Sequence, residues 1–187
     1  MFGFGGERLE ANKLEISLAS LCGAAMAGIK PSSLAVCGEE SGEALAAYAH
    51  MFARKGISIL PLCKKRGKIT YLVYRESKLR AHLCAEDSAA FLAAYGYPVG
   101  NFEGCIARLK LRLSGRRYPH EIGVFLGYPP EDVSGYLNDP YGCIFSGMWK
   151  VYAEPEKKRA LFERYRRCQS CILRRLASGQ SLAEIFI

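Results

Sequence analysis

The sequence predicts an α/β chain of the α+β kind: a small mixed sheet of about four strands packed with helices, and a second half that is mainly helical. Three observations predict it. Leu34–Cys37, Ile57–Leu62 and Ile69–Tyr74 are short runs rich in the β-branched and aromatic residues that strands favour. Beyond Arg75, apolar residues recur mostly at helical spacing. Half of the 187 residues are hydrophobic and 24% are charged, enough apolar material for a core and too much for a disordered chain. The expectation is a single domain over 1–187, with a division into an α/β half, 1–84, and a helical half carrying one strand, 85–187, as the alternative.

Taken in order, Leu9, Leu14, Ile16, Leu18, Leu21 and Ala25 read as a mostly buried first helix that ends near Gly28, because Lys30-Pro31 disfavours its continuation. A short strand, Leu34–Cys37, follows. Leu45, Tyr48, Met51 and Phe52 place a helix over Ser41–Lys55, with Gly56 as its C-cap. Ile57–Leu62 and Ile69–Tyr74 form a hairpin around Lys64-Lys65-Arg66-Gly67-Lys68. Three helices come next, over Glu76–Cys84, Glu86–Tyr95 and Phe102–Leu113. His120–Leu126, started by Pro119, and Glu131–Leu137 are two short ones. Cys143–Tyr152 reads as a fourth strand around Trp149. The helix Pro155–Leu176 carries Leu161, Tyr165, Cys168, Ile172 and Leu176 on one stripe, Gly179 ends it, and Ser181 caps a last turn.

Composition narrows the functional classes. The longest apolar stretch, Leu14–Ile29, is interrupted by Glu15 and dotted with Ser and Gly, short of the roughly 20 clean residues of a membrane span. Met1–Glu10 lacks a basic region followed by an apolar run, so no secretory signal is read there and a cytoplasmic location is expected. Eight cysteines scattered through apolar segments read as buried small hydrophobes in a reducing compartment. The net charge of +8 gathers at Lys64–Lys68, Arg108–Arg117 and the last long helix, where an acidic partner would fit, although a solvated face is the simpler reading.

One stretch repeats itself. Tyr95-Gly-Tyr-Pro-Val-Gly-Asn-Phe-Glu-Gly-Cys-Ile106 aligns with Leu126-Gly-Tyr-Pro-Pro-Glu-Asp-Val-Ser-Gly-Tyr-Leu137. Two copies fall short of a solenoid; they read as a reused helix-turn unit.

The least generic residues run from Tyr118 to Leu137, then Gly147, Trp149-Lys150-Val151-Tyr152, and Ala160, Phe162, Tyr165 and Cys168. Together with Lys30-Pro31-Ser32 and Val73-Tyr74-Arg75 they resemble the bacterial family called domain of unknown function 3793, along nearly the whole chain. Its relatives are largely from anaerobic bacteria. The resemblance implies no established activity, cofactor or catalytic residue. Some relatives place a Cys just before the Gly of the Trp-Lys-Val-Tyr motif; here Phe145 and Ser146 stand there, which weakens a metal site at that point.

Four constellations can carry chemistry. Glu121–Leu137 has the apolar spacing of a helix-turn-helix, but its second helix would bring Glu131 and Asp132 to DNA phosphates, which repel them. His120 and Glu121 form a candidate acid/base pair, histidine being the side-chain type that titrates nearest neutrality; adjacent helical residues point about 100 degrees apart, so the two do not share a pocket simply. Cys168 and Cys171 are spaced like thiolate ligands, with Cys143 and His120 as conceivable further donors, yet no second close pair completes a tetrahedral site. In Trp149–Tyr152, alternation puts Trp149 and Val151 on one face and Lys150 and Tyr152 on the other, an apolar wall beside an amine and a phenol suited to an anionic aromatic ligand. A Walker loop and a Ser nucleophile elbow are absent, and Gly3-Phe4-Gly5-Gly6 follows no strand.

The leading expectation is therefore a cytoplasmic ligand-binding or accessory protein, with enzymatic activity left open and the cofactor unknown. Its ligand-binding candidates are His120, Glu121, Tyr128, Trp149, Lys150 and Tyr152. The alternative is a helix-turn-helix-like nucleic-acid-binding or regulatory module; a protein-binding adaptor using the basic long helix is a third class.

Overall fold

The computed structural model describes the backbone of residues 4–186 and the side chains of residues 13–186. The described chain forms two compact units. One takes in the chain up to Glu76 and again from Arg167; the other is Ser77–Arg166.

In the first unit, helix α1 (Phe4–Met26) precedes strand β1 (Ser32–Gly38), helix α2 (Gly42–Ala53) and strands β2 (Ile57–Lys65) and β3 (Lys68–Arg75). Helix α1 ends where Lys30-Pro31 demands: Gly28 adopts φ 73, and Gly28 and Ile29 donate back to Ala25 and Ala24. The sheet order is β1-β3-β2. Every pairing in it is antiparallel, with Leu72 of β3 opposite Leu34 of β1 and Leu60 of β2, so the sheet has no parallel component and is not mixed. The β2–β3 hairpin turns on Arg66 and Gly67, both at positive φ, the two-residue turn whose twist matches antiparallel strands. Pro61, which cannot donate to a ladder, sits in edge strand β2 at a register shift.

The core of this unit joins Leu18, Cys22 and Met26 of α1, Phe52 of α2 and alternate sheet residues such as Ile57, Ile59 and Val73. Ile172 and Leu182 close it from the end of the chain. They belong to helix α8 (Pro155–Ala177) and helix α9 (Leu182–Phe186). The Ser181 hydroxyl accepts from the Glu184 N–H while the Glu184 carboxylate accepts from the Ser181 N–H, a capping box. The first helix is less uniformly buried than expected: Ile16 and Leu21 are about half exposed, because the core-facing stripe is Leu14, Leu18, Cys22 and Met26. Leu9 lies outside the residues whose side chains are described.

The second unit is built on helices α3 (Glu76–Leu83), α4 (Glu86–Ala94), α5 (Phe102–Ser114), α6 (Ile122–Phe125) and α7 (Pro130–Asn138), followed by strands β4 (Phe145–Ser146) and β5 (Lys150–Val151) and the start of α8. Two expectations change here. The helix over His120–Leu126 shrinks to one turn, since Ile122, Gly123 and Val124 donate three residues back to Pro119, His120 and Glu121, tightening its entry. Cys143–Tyr152 does not extend the three-stranded sheet. It folds on itself as a hairpin, pairing Phe145 with Val151 and Ser146 with Lys150, and the Gly147 N–H donates to Trp149 O at 2.9 Å. Gly147 is needed there because a Cβ would overlap the Phe162 ring.

Candidate functional site

The site lies within the Ser77–Arg166 unit and starts from a helix end. Gly127, at φ 78, stops α6: its N–H donates to Val124 O at 2.9 Å and the Tyr128 N–H to Gly123 O at 2.8 Å, a Schellman turn. Tyr128 is thereby set against Trp149, the rings stacking at 4.6 Å between centroids. The Trp149 ring also meets Phe162 edge-on at 4.4 Å. Pro129 and Pro130 then start α7, where Pro at the first helical position forfeits only an N–H that has no intrahelical partner.

Asp132, two residues on, holds the hairpin to α7. Only 2% exposed, its carboxylate accepts the Trp149 indole N–H at 2.7 Å and the backbone N–H groups of Tyr152 at 2.8 Å and Ala153 at 3.2 Å. A buried carboxylate fully supplied with donors is a rigid joint.

Between these elements opens a cleft of about 250 Å³. Tyr128 and Trp149 line it with one run of rings. Tyr118, His120 and Tyr136 line it with another, the His120 ring lying 5.5 Å from that of Tyr118 and 5.1 Å from that of Tyr136. Ile122, Leu126, Val133 and Met148 add apolar surface. Lys150 also reaches the cleft: its ammonium donates to Pro140 O at 2.6 Å and stands over the Tyr136 and Tyr141 rings at 5.8 and 5.5 Å. The His120 imidazole is exposed and makes ring contacts, with no hydrogen bond to a described residue. Burial, then the neighbouring Tyr118, pushes the Tyr128 phenol up.

Of the sequence candidates, the structure brings His120, Tyr128, Trp149 and Lys150 to one cleft. Trp149 and Lys150 share it although strand alternation separates them, because the tight turn before β5 interrupts the alternation. Glu121 goes elsewhere. It is buried against Arg112 at 2.5 Å and accepts from the Tyr97 hydroxyl at 3.2 Å, so it braces α5 and does not pair with His120. Burial and the Glu121 charge raise the Tyr97 phenol; the hydrogen bond to Glu121 raises Arg112. Tyr152 is likewise outside the cleft: its hydroxyl donates to Asp139 O at 2.8 Å, and its ring fills the space that a Cβ on Gly135 would need.

Cys143 lies in this unit, and Cys168 and Cys171 in the other. Cys168 packs against the core of its unit and Cys171 is exposed. Among the described residues no group of three or more His, Cys, Asp or Glu could hold a metal ion. The helix that would enter a DNA groove, α7, has its carboxylates engaged: Asp132 as above, and Glu131 with the Lys158 ammonium at 2.7 Å. Burial works against the charge on Lys158, but Glu131, Asp132 and Glu154 outweigh it and raise its pKa.

Sequence reasoning missed Asp132, Tyr118, Tyr136 and Met148. Asp132 had one signal, a carboxylate directly preceding the apolar Val133 just inside a helix that its own Pro-Pro entry had already started.

Fold and cleft together define an α+β protein with a small aromatic pocket held inside one of its two units. The chain belongs to the family described as Protein of unknown function (DUF3793), whose profile matches residues 18–186. Comparison with curated proteins and with solved structures gives no match. Among the described residues, no helix is long and apolar enough to cross a membrane.

Proposed function

We propose that this protein binds a small organic molecule in the cleft formed by His120, Tyr128, Tyr136, Trp149 and Lys150, and serves as a cytoplasmic ligand-binding or accessory protein. The observation that carries the reading is convergence: four residues singled out from two separate stretches of sequence line one concave, mostly apolar space with few polar groups, the usual make-up of a ligand pocket. Support comes from how the walls are held. Trp149 is fixed by Asp132 and by two aromatic neighbours, so the pocket is shaped before a ligand arrives and little ordering entropy opposes binding.

The test is anaerobic purification followed by native mass spectrometry and absorbance on the same sample, with a fragment screen read by Trp149 emission, the chain having one Trp. A co-purifying small molecule that the Tyr128→Ala variant loses, or fragments that saturably shift the emission, is the expected result. An apo mass together with unmoved emission across the screen overturns the reading.

A further inference from the structure

The charges around the cleft are unequal in how they are answered. Two residues on its wall carry a formal charge, Asp132 and Lys150. Asp132 accepts three N–H groups and lies within the field of Lys158. Lys150 has no such balance. No described carboxylate lies within ion-pair distance of it; its one hydrogen bond goes to a backbone carbonyl, and it stands over two tyrosine rings. An ammonium carries three donors, so two remain for whatever fills the space beside it.

Size and shape set the rest. An apolar cavity of roughly 150 Å³ takes one benzene ring, so about 250 Å³ takes a fused pair of rings or one ring with a short substituent. That lies below the roughly 300–1,000 Å³ of pockets for drug-sized ligands, which leaves little room for a whole nucleotide. Ring walls favour a flat partner through offset stacking. An organic cation would meet the Lys150 ammonium, and a neutral molecule would cover that ammonium without satisfying it, which costs desolvation.

Resting on the reading of the cleft as a ligand site, we infer that its ligand is a planar aromatic acid of one or two rings, stacked on the cleft aromatics with its carboxylate on the Lys150 ammonium. The Lys150 side chain is then the group that sets charge specificity, and the rings set shape.

The test uses the ¹⁵N-labelled full chain, whose one Trp gives one indole N–H signal that reports from the cleft wall. It is titrated separately with naphthalene-2-carboxylate, naphthalene-2-carboxamide and 2-naphthylmethylammonium. The carboxylate should saturate the shift at concentrations about five- to tenfold below the amide, as expected for a charge-assisted contact at a half-buried lysine, with the ammonium weakest. Added salt should narrow that gap, and Lys150→Gln should bring the carboxylate down to the affinity of the amide. If amide or ammonium binds as tightly as the carboxylate in the unsubstituted protein, the acid is overturned and the cleft reading stands. If none of the three moves the signal, both fall.

Discussion

The two Gly-Tyr-Pro turns of the Ser77–Arg166 unit begin alike and end in different work. Gly96 and Gly127 stop α4 and α6 at φ 74 and 78. The following tyrosines donate back to Leu92 O at 3.1 Å and Gly123 O at 2.8 Å. Each ring then folds onto another aromatic ring, Tyr97 onto Phe125 at 5.4 Å and Tyr128 onto Trp149 at 4.6 Å. The paths part after the proline. In the first copy Asn101 is spent as the N-cap of α5, its side chain accepting the Gly104 N–H at 2.9 Å. In the second, Pro130 starts the helix without a side-chain cap, and the aligned residue, Asp132, reaches across to hold Trp149 and β5. One turn joins two helices; the other builds a pocket wall, because its carboxylate was released from capping.

The largest expected effect tests that division directly. Asp132→Ala strands one indole and two backbone N–H donors, and at about 1–3 kcal/mol for each unsatisfied buried group the loss should reach about 3–5 kcal/mol. Asn101→Ala removes only a cap, about 1 kcal/mol. Urea unfolding followed by Trp149 emission, which reports on this unit, measures both; equal losses would break the comparison. Next in size, Gly96→Ala and Gly127→Ala should each cost about 1–2 kcal/mol, since both force a Cβ into the left-handed region. The two values should agree to within about 0.5 kcal/mol if the glycines do the same job, and a clear gap between them would show that the turns differ before the proline as well.

The smallest effect depends on pH and touches the second turn alone. His82 donates through Nε2 to Val124 O at 2.9 Å, the same carbonyl that receives the Gly127 N–H. Burial lowers the His82 pKa, against the milder pull of that bond. Below the ordinary histidine value of about 6.5, the unfolded chain takes up a proton that the folded unit refuses, so stability falls as pH drops through that value toward the lower folded one. Thermal melts read by Trp149 between pH 7.5 and 5.5 should show this decline, and His82→Gln should flatten it. An unchanged slope in that variant would remove His82 as the cause.

Much of this was legible in the sequence. The β2–β3 hairpin, the stop at Gly28 and the Ser181 cap follow from residues with one dominant local preference. The cleft was foreshadowed because His120, Tyr128, Trp149 and Lys150 sit in the least generic stretches. What stayed hidden depended on partners distant in sequence. Glu121 looks like a companion for His120 until Arg112 and Tyr97 claim it. Cys143–Tyr152 carries strand-forming residues, and only the Ser146-Gly147 pair, a turn signal, hinted that it doubles back. Asp132 gave little warning because its partners are an indole and two backbone N–H groups, none of which a motif records.

The return of α8 and α9 to the first unit has a consequence for the order of synthesis. Ile172 and Leu182 belong to the core of the unit that also holds α1, α2 and the three-stranded sheet, yet a ribosome adds them only after the whole Ser77–Arg166 segment. The Ser77–Arg166 segment is contiguous and leaves the ribosome whole while the earlier unit still lacks its closing helices. Nascent-chain folding, which usually favours the earlier-made part, is here arranged so that the later Ser77–Arg166 segment, cleft included, can settle first.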